Sequence, residues 1–271
     1  MNVRIVNRIG IQTAGGTQRE LIIHTPGRMD RARLADLHNC RTRADHETVL
    51  EATPDEIDSW LGPTRDPESL LIGSVDERPM ALIRRVRRQV DPEVGLPKTV
   101  AELTNPEEVN PEGDHVICPW VTVEEGFREF HGEVNGAPAN ILQLMVATVK
   151  EEAQAQADPK RVFAYSRPFS IRHHLRQWLD ADVIRYYAHD RGERATVFAN
   201  GKRIQIDQVG VHTHRGMVVS WQTYWNQRYD SVLRLHAELG AQFDKNHVFP
   251  QGHIQDLRTL GIRIAVEHPL R

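Results

Sequence analysis

Histidines are the side chains of this chain best suited to moving protons near neutral pH, and 14 of them are present. His236 lies in YDSVLRLHAELGAQ (229–242), four residues after Val232 and three after Leu233. On a helix this is the edge of an apolar face, where an imidazole can act as general base or general acid. The alternative is a hydrogen-bonded, partly buried structural histidine, and periodicity alone favours it. The pairs His173-His174 and His212-Thr213-His214 invite a metal reading, since His212 and His214 would share one face of a strand. No cysteine or HExxH-type spacing accompanies them, so no metal site is expected. Trp120 reads as core or as the wall of a site. Tyr186, Tyr187, Trp221, Tyr224 and Trp225 either shape an acceptor pocket or form a satellite core.

The elements that must position these residues follow from pattern. Leu21–His24 is a short apolar run of strand type. Met29–Cys40 has helical spacing through Leu34 and Leu37. A second helix starts at Thr53-Pro54-Asp55-Glu56, with Thr53 as cap, Pro54 at the first helical position and Glu56 closing a capping box. Strands are predicted over Ser69–Val75 and Pro79–Val86, joined by a turn at Asp76-Glu77-Arg78. His115–Val123 (HVICPWVTV) is a further strand. Pro119 inside it predicts a bulge or break, because proline has no N–H to give the ladder. Ala139–Ala157 is the strongest helix, with Ile141, Leu142, Met145, Val146, Val149 and Ala153 on one face. Arg161–Tyr165 is a strand, Ser170–Leu179 and Tyr229–Leu239 are helices, and Val248-Phe249 and Ile262–Glu267 are final strands. Residues 180–228 carry no clear period. Helices interleaved with strands indicate an α/β or α+β layer fold. Gly136-Ala137 before the long helix is too little, by itself, to define a phosphate loop.

Composition narrows the function classes. A hydrophobic fraction of 39% with 26% charged residues is that of a globular chain long enough for a sizeable core. A net charge of -3 argues against general affinity for nucleic-acid phosphates. Arg84, Arg85, Arg87 and Arg88 are read as a solvated strand end. The cysteines, Cys40 and Cys118, are far apart, which fits a reduced, cytoplasmic compartment. No run approaches a membrane span, and the first residues lack a charged-then-apolar signal layout.

Several strings, in their order and spacing, resemble the GNAT superfamily of N-acetyltransferases. PKTVAELT (97–104) followed by NPEGDHVICPWVTV (110–123) resembles a segment of one GNAT branch, which includes the GNAT-like domains of polyketide synthase loading modules. RVFAYSR (161–167) resembles the strand after that branch's long helix, where a Thr-Arg pair is usual. YDSVLRLHAELGAQ resembles its late helix, which carries a histidine. The resemblance covers roughly residues 20–271. It implies one GNAT-like domain over 21–271 after an N-terminal extension, 1–20.

The resemblance also implies a pantetheine arm held by backbone groups of HVICPWVTV, hence Trp120, Val121, Thr122 and Val123, with the thioester ending near Tyr165, Ser166 and His236. With it, the catalytic reading of His236 moves ahead of the structural one. Ser166 stands where the branch has threonine, as hydroxyl donor to the thioester or as a helix cap. Arg167 and His253 become second-line substrate contacts. GNAT enzymes hold the coenzyme A pyrophosphate on a glycine-rich loop before the long helix. Here GFREFHGEVNGAPAN (126–140) keeps Gly132, Gly136 and Ala137 at stretched spacing, and Glu133 adds an unfavourable negative charge. A phosphopantetheinyl carrier protein as donor fits that departure. The branch implies malonyl-thioester decarboxylation, but His253 stands nearest the place of an arginine suited to a carboxylate. Acyl transfer from a carrier-protein or coenzyme A thioester to a small-molecule amine is therefore the expected reaction. Priming of a carrier protein by decarboxylation or S-acyl transfer, and a non-catalytic binding protein, are the alternatives.

Overall fold

In the computed structural model, residues 3–27, 31–44, 51–61, 69–156, 161–182, 184–188, 194–250 and 259–270 are described. In chain order the elements are β1 (Ile5–Gln12), β2 (Gln18–His24), α1 (Arg31–Ala44), α2 (Pro54–Leu61), β3 (Leu70–Val75), β4 (Arg78–Arg88), α3 (Val100–Thr104), β5 (His115–Val123), β6 (His131–Val134), β7 (Ala137–Asn140), α4 (Ile141–Ala155), β8 (Arg161–Ser166) and α5 (Ile171–Leu179). Then follow β9 (Ile184–Ala188), β10 (Ala195–Ala199), β11 (Lys202–Ile206), β12 (Gly210–Thr213), β13 (Gly216–Ser220), α6 (Trp221–Asn226), α7 (Ser231–Glu238), β14 (Gln242–Phe249) and β15 (Arg263–His268). Two compact units emerge: Met1–Val90 with Pro106–Val162 and Leu270–Arg271, and Asp91–Asn105 with Phe163–Pro269. The stretch expected as one domain, 21–271, contributes to both, and the expected extension contributes β1.

The first unit is built on an antiparallel run of strands, β7-β6-β1-β2-β3-β4-β5. Leu34, Ala35 and Leu37 of α1 pack with Ile57 of α2 against Leu70, Ile72 and Leu82, and Trp120 leans on this cluster. Side chains alternate along a strand, so Gly73 faces the other side. There a Cβ would lie 3.0 Å from the Met145 sulfur, so the glycine makes room for α4. The two helical layers thus cover opposite faces. The capping box at Thr53 forms as expected: the Glu56 backbone N–H donates to the Thr53 hydroxyl, and the Glu56 carboxylate accepts from the Thr53 N–H at 2.7 Å.

The proline in β5 acts as its chemistry requires. Arg84 pairs with Trp120 and Val86 with Ile117, so Arg85 alone faces both Cys118 and Pro119. On its other side Arg85 continues the β3–β4 register, its N–H donating to the Ser69 carbonyl at 2.7 Å. The basic string itself calls for a correction. Arg84, Arg85 and Arg88 are 1%, 6% and 3% exposed, not solvated. Arg85 reaches Glu152 of α4, which also binds Arg4; Arg88 reaches Glu108; and Arg84 lies over the Trp120 ring. Buried cations hold their charge only when so compensated.

Of the elements in the second unit, the stretch without a legible period, 180–228, forms a five-stranded antiparallel sheet in the order β13-β12-β11-β10-β9, followed by α6. Asn200 and Gly201 turn the β10–β11 hairpin with φ of 47° and 77°, a left-handed pair that an Asn-Gly sequence favours. Trp221 and Tyr224 of α6 are 1% exposed, and the Trp221 indole N–H donates to the Asp207 carbonyl at 2.7 Å. Strands β14 and β15 pair antiparallel.

Candidate functional site

The residues in which the sequence suggested thioester chemistry lie on β8 and α7 and in the turns around them, all in the second unit. Ser166 ends β8, is 1% exposed, and its hydroxyl has no hydrogen-bond partner. Leaving a buried hydroxyl unsatisfied costs on the order of 1–3 kcal/mol. The cap reading of Ser166 does not hold, because the helix after it is closed from elsewhere: the Ser170 N–H donates to the Asp230 carboxylate at 2.8 Å. The other carboxylate oxygen of Asp230 accepts from the N–H groups of Val232 and Leu233, capping α7. Asp230 is fully buried, and burial pushes its carboxyl up while these N–H groups pull it down.

His236 stands in the last turn of α7, 3% exposed. Its Nδ1 lies 3.1 Å from Nε2 of His268 on β15, with the rings tilted by 62°. Burial lowers its pKa to about 4, so the ring is neutral at physiological pH. The structural reading foresaw the hydrogen bond. The partner had no signal in the sequence, since His268 lies 32 residues on and outside every quoted string.

Tyr165 precedes Ser166 with its ring stacked on Phe249, centroids 5.8 Å apart, and its hydroxyl donating to the Pro97 carbonyl at 2.5 Å. The phenol is thereby committed to the PKTVAELT segment, whose α3 is capped by Thr99. Arg167 lies over the Phe169 ring at 4.6 Å. His253 lies outside the described residues. Of the aromatic set, Tyr224 packs on His174, whose ring also stacks on Trp178 at 5.3 Å and touches Tyr229; the side chains of Tyr186 and Tyr187 lie outside the described residues.

The remaining expected site residues belong to the first unit. Trp120 sits edge-on to His38 at 5.1 Å with the Arg84 guanidinium 4.9 Å from its ring, and burial together with Arg84 lowers the His38 pKa to about 4. Trp120, Val121, Thr122 and Val123 pair with Arg84, Ile83, Leu82 and Ala81. In an antiparallel ladder alternate peptide groups of such a strand face away from this partner. Before the long helix stands a hairpin, β6–β7. Asn135 and Gly136 form its turn with φ of 53° and 78°, and Ala137 opens the next strand. Gly132 packs so closely on β1 that a Cβ would lie 2.8 Å from the Gly10 carbonyl oxygen. The first turn of α4 is closed by its own capping box between Asn140 and Gln143. The glycines thus serve strand packing and a turn, and the helix N-terminus is occupied by its own side chains.

No protein-family model matches the sequence, and no curated protein matches it. Solved structures do. The GNAT-like decarboxylase GphF, in complex with isobutyryl-CoA, superposes with a TM-score of 0.56 at 17% identity, covering 89% of this chain and 97% of its own. The loading GNATL domain of CurA from Lyngbya majuscula superposes with a TM-score of 0.50 at 14% identity, covering 86% and 94%. The chain has the GNAT-like fold. This GNAT-like chain contains, among its described residues, no helix long and apolar enough to cross a membrane.

Two outcomes follow from the site. Asp230→Ala strips three buried backbone N–H groups of their acceptor, so urea denaturation should show a loss of at least ~2 kcal/mol, more than an ordinary cap removal. The second concerns acid. Between pH 6.5 and 5 the unfolded chain protonates His236 while the folded chain does not. Stability is therefore full above pH 6.5 and falls with pH by up to ~1.4 kcal/mol per unit for that group. Urea midpoints against pH should show this slope, and His236→Phe should flatten it; His38 contributes with the same sign.

Proposed function

We propose that the chain is a GNAT-fold acyltransferase of specialised metabolism. It moves an acyl group from a pantetheine thioester, borne by a carrier protein or by coenzyme A, to an amine of a small molecule. The observation that carries this reading is the Ser166 hydroxyl, buried without a partner at the end of β8. Such a donor suits an oxygen that arrives with the substrate. The thioester carbonyl oxygen is that acceptor, and it gains charge as the carbonyl carbon becomes tetrahedral.

The balance of the reaction fits the groups present. The amine nitrogen bonds to the carbonyl carbon and its proton passes to Nε2 of His236, the ring nitrogen not directed at His268. The carbon–sulfur bond then breaks, and the thiolate recovers the proton. Amide and thiol are formed with no net proton change. His236 is uncharged and so offers a lone pair, while the burial that keeps it neutral also lowers its basicity, which the negative charge developing on the bound thioester offsets. The hairpin before α4 and the capping box at its N-terminus favour a donor without the coenzyme A headgroup, hence a carrier protein.

A second reading, decarboxylation of a malonyl thioester to prime a carrier protein, is favoured by the likeness to the GNAT-like decarboxylase GphF. Intact-protein mass spectrometry separates the two. Holo carrier protein charged with acetyl or malonyl groups is incubated with the enzyme, with and without a pool of small amines, beside the matching coenzyme A thioesters. Amine-dependent loss of the acyl group is expected, faster from the carrier. Malonyl converting to acetyl without amine would replace the reading by decarboxylation, and no change in any mixture would overturn both. Ser166→Ala should lower the rate at least tenfold while thermal unfolding shows stability unchanged or slightly raised, because an orphan hydroxyl is removed.

A further inference from the structure

We propose that His268 is a positioning residue that fixes the tautomer of His236, so that Nδ1 of His236 carries the proton and Nε2 is left as the base. The inference rests on the acyl-transfer reading above, but its first test does not.

The geometry sets the terms. His236 Nδ1 and His268 Nε2 are 3.1 Å apart, and the two residues are 3% and 0% exposed. Water is thus excluded as a competing partner for that ring nitrogen. Burial lowers the pKa of His236, so its ring is neutral. Its Nδ1 and Nε2 of His268 share one proton where they meet, and only two arrangements exist. In one, His236 Nδ1–H donates to His268 Nε2, and His236 Nε2 presents a lone pair. In the other, His268 Nε2–H donates to His236 Nδ1, and His236 Nε2–H is a proton donor. The first is a base and suits attack by an amine; the second is an acid and suits protonation of a carbanion.

The first arrangement also serves the transition state. When the amine proton reaches His236 Nε2, the imidazolium has its Nδ1–H already directed at a neutral acceptor. A hydrogen bond to the charged form stabilises it there. His268, at the end of β15, is held by the strand pairing of that segment with β14 and does not depend on substrate for its place.

The test is long-range proton–nitrogen NMR on protein labelled with nitrogen-15 in histidine, with His236→Gln assigning the signals. The wild type should show His236 with a protonated Nδ1 and an unprotonated Nε2; the opposite tautomer would overturn the proposal whatever the enzyme's activity. His268→Gln retains an acceptor oxygen and should keep the tautomer, with kcat within about threefold. His268→Leu should mix the tautomers and lower kcat at least tenfold with KM within about twofold. Equal kcat in the two variants would also overturn it, and the spectra of the same samples establish that both are folded. If His236→Gln leaves turnover unchanged, the acyl-transfer reading fails at that residue, while the tautomer result stands on its own.

Discussion

The buried carboxylate of Asp230 is the constraint on which the candidate site depends. One oxygen holds the Ser170 N–H, four residues after Ser166; the other holds Val232 and Leu233 in the first turn of α7, four and three residues before His236. A single side chain therefore ties the segment leaving β8 to the helix that carries His236. Its desolvation is offset only because three N–H groups meet it, and those groups would otherwise be orphaned at helix termini. The same rule governs the first unit, where Glu152 collects Arg85 and Arg4. Among the described residues a few buried polar atoms stay outside this rule, the Tyr224 hydroxyl and the Ser166 hydroxyl of the second unit among them. Ser166 is the one of that pair that ends a strand beside residues suited to thioester chemistry.

Much of the framework was legible because it rests on local chemistry. The Thr53–Glu56 box, the apolar stripe of α4, the Asp76-Glu77 turn and the bulge at Pro119 each follow from a few adjacent residues. The meander from β9 to β13 was not legible. Its strands are four or five residues long, too short to show a period, although Asn200-Gly201 was a turn signal in plain view. The β6–β7 hairpin carried the same dipeptide, Asn135-Gly136, but was weighed only as a stretched phosphate loop. The arginines of β4 were misjudged because their partners, Glu152 and Glu108, are remote in sequence.

For the site, the helix edge marked His236, and the resemblance brought Ser166 and Tyr165 forward. Spacing could not reveal that Tyr165 spends its hydroxyl on Pro97, or that His236 is paired with His268. Both are long-range contacts, 68 and 32 residues apart. Such pairings decide whether a histidine acts as acid or base, and they arise only when the chain is folded. The GNAT-like fold frames the chemistry, but fold alone assigns no reaction, and the weight rests on individual groups.

The most direct test of the central claim is a crystal structure of the protein with a pantetheine analogue in which a methylene replaces the sulfur of an acetyl thioester. Ser166 should be found donating to the analogue's carbonyl oxygen within ~3 Å, with Nε2 of His236 facing the acyl carbon. An analogue bound with Ser166 still lacking a partner would contradict the account, because the orphan hydroxyl would then have no role in holding the thioester.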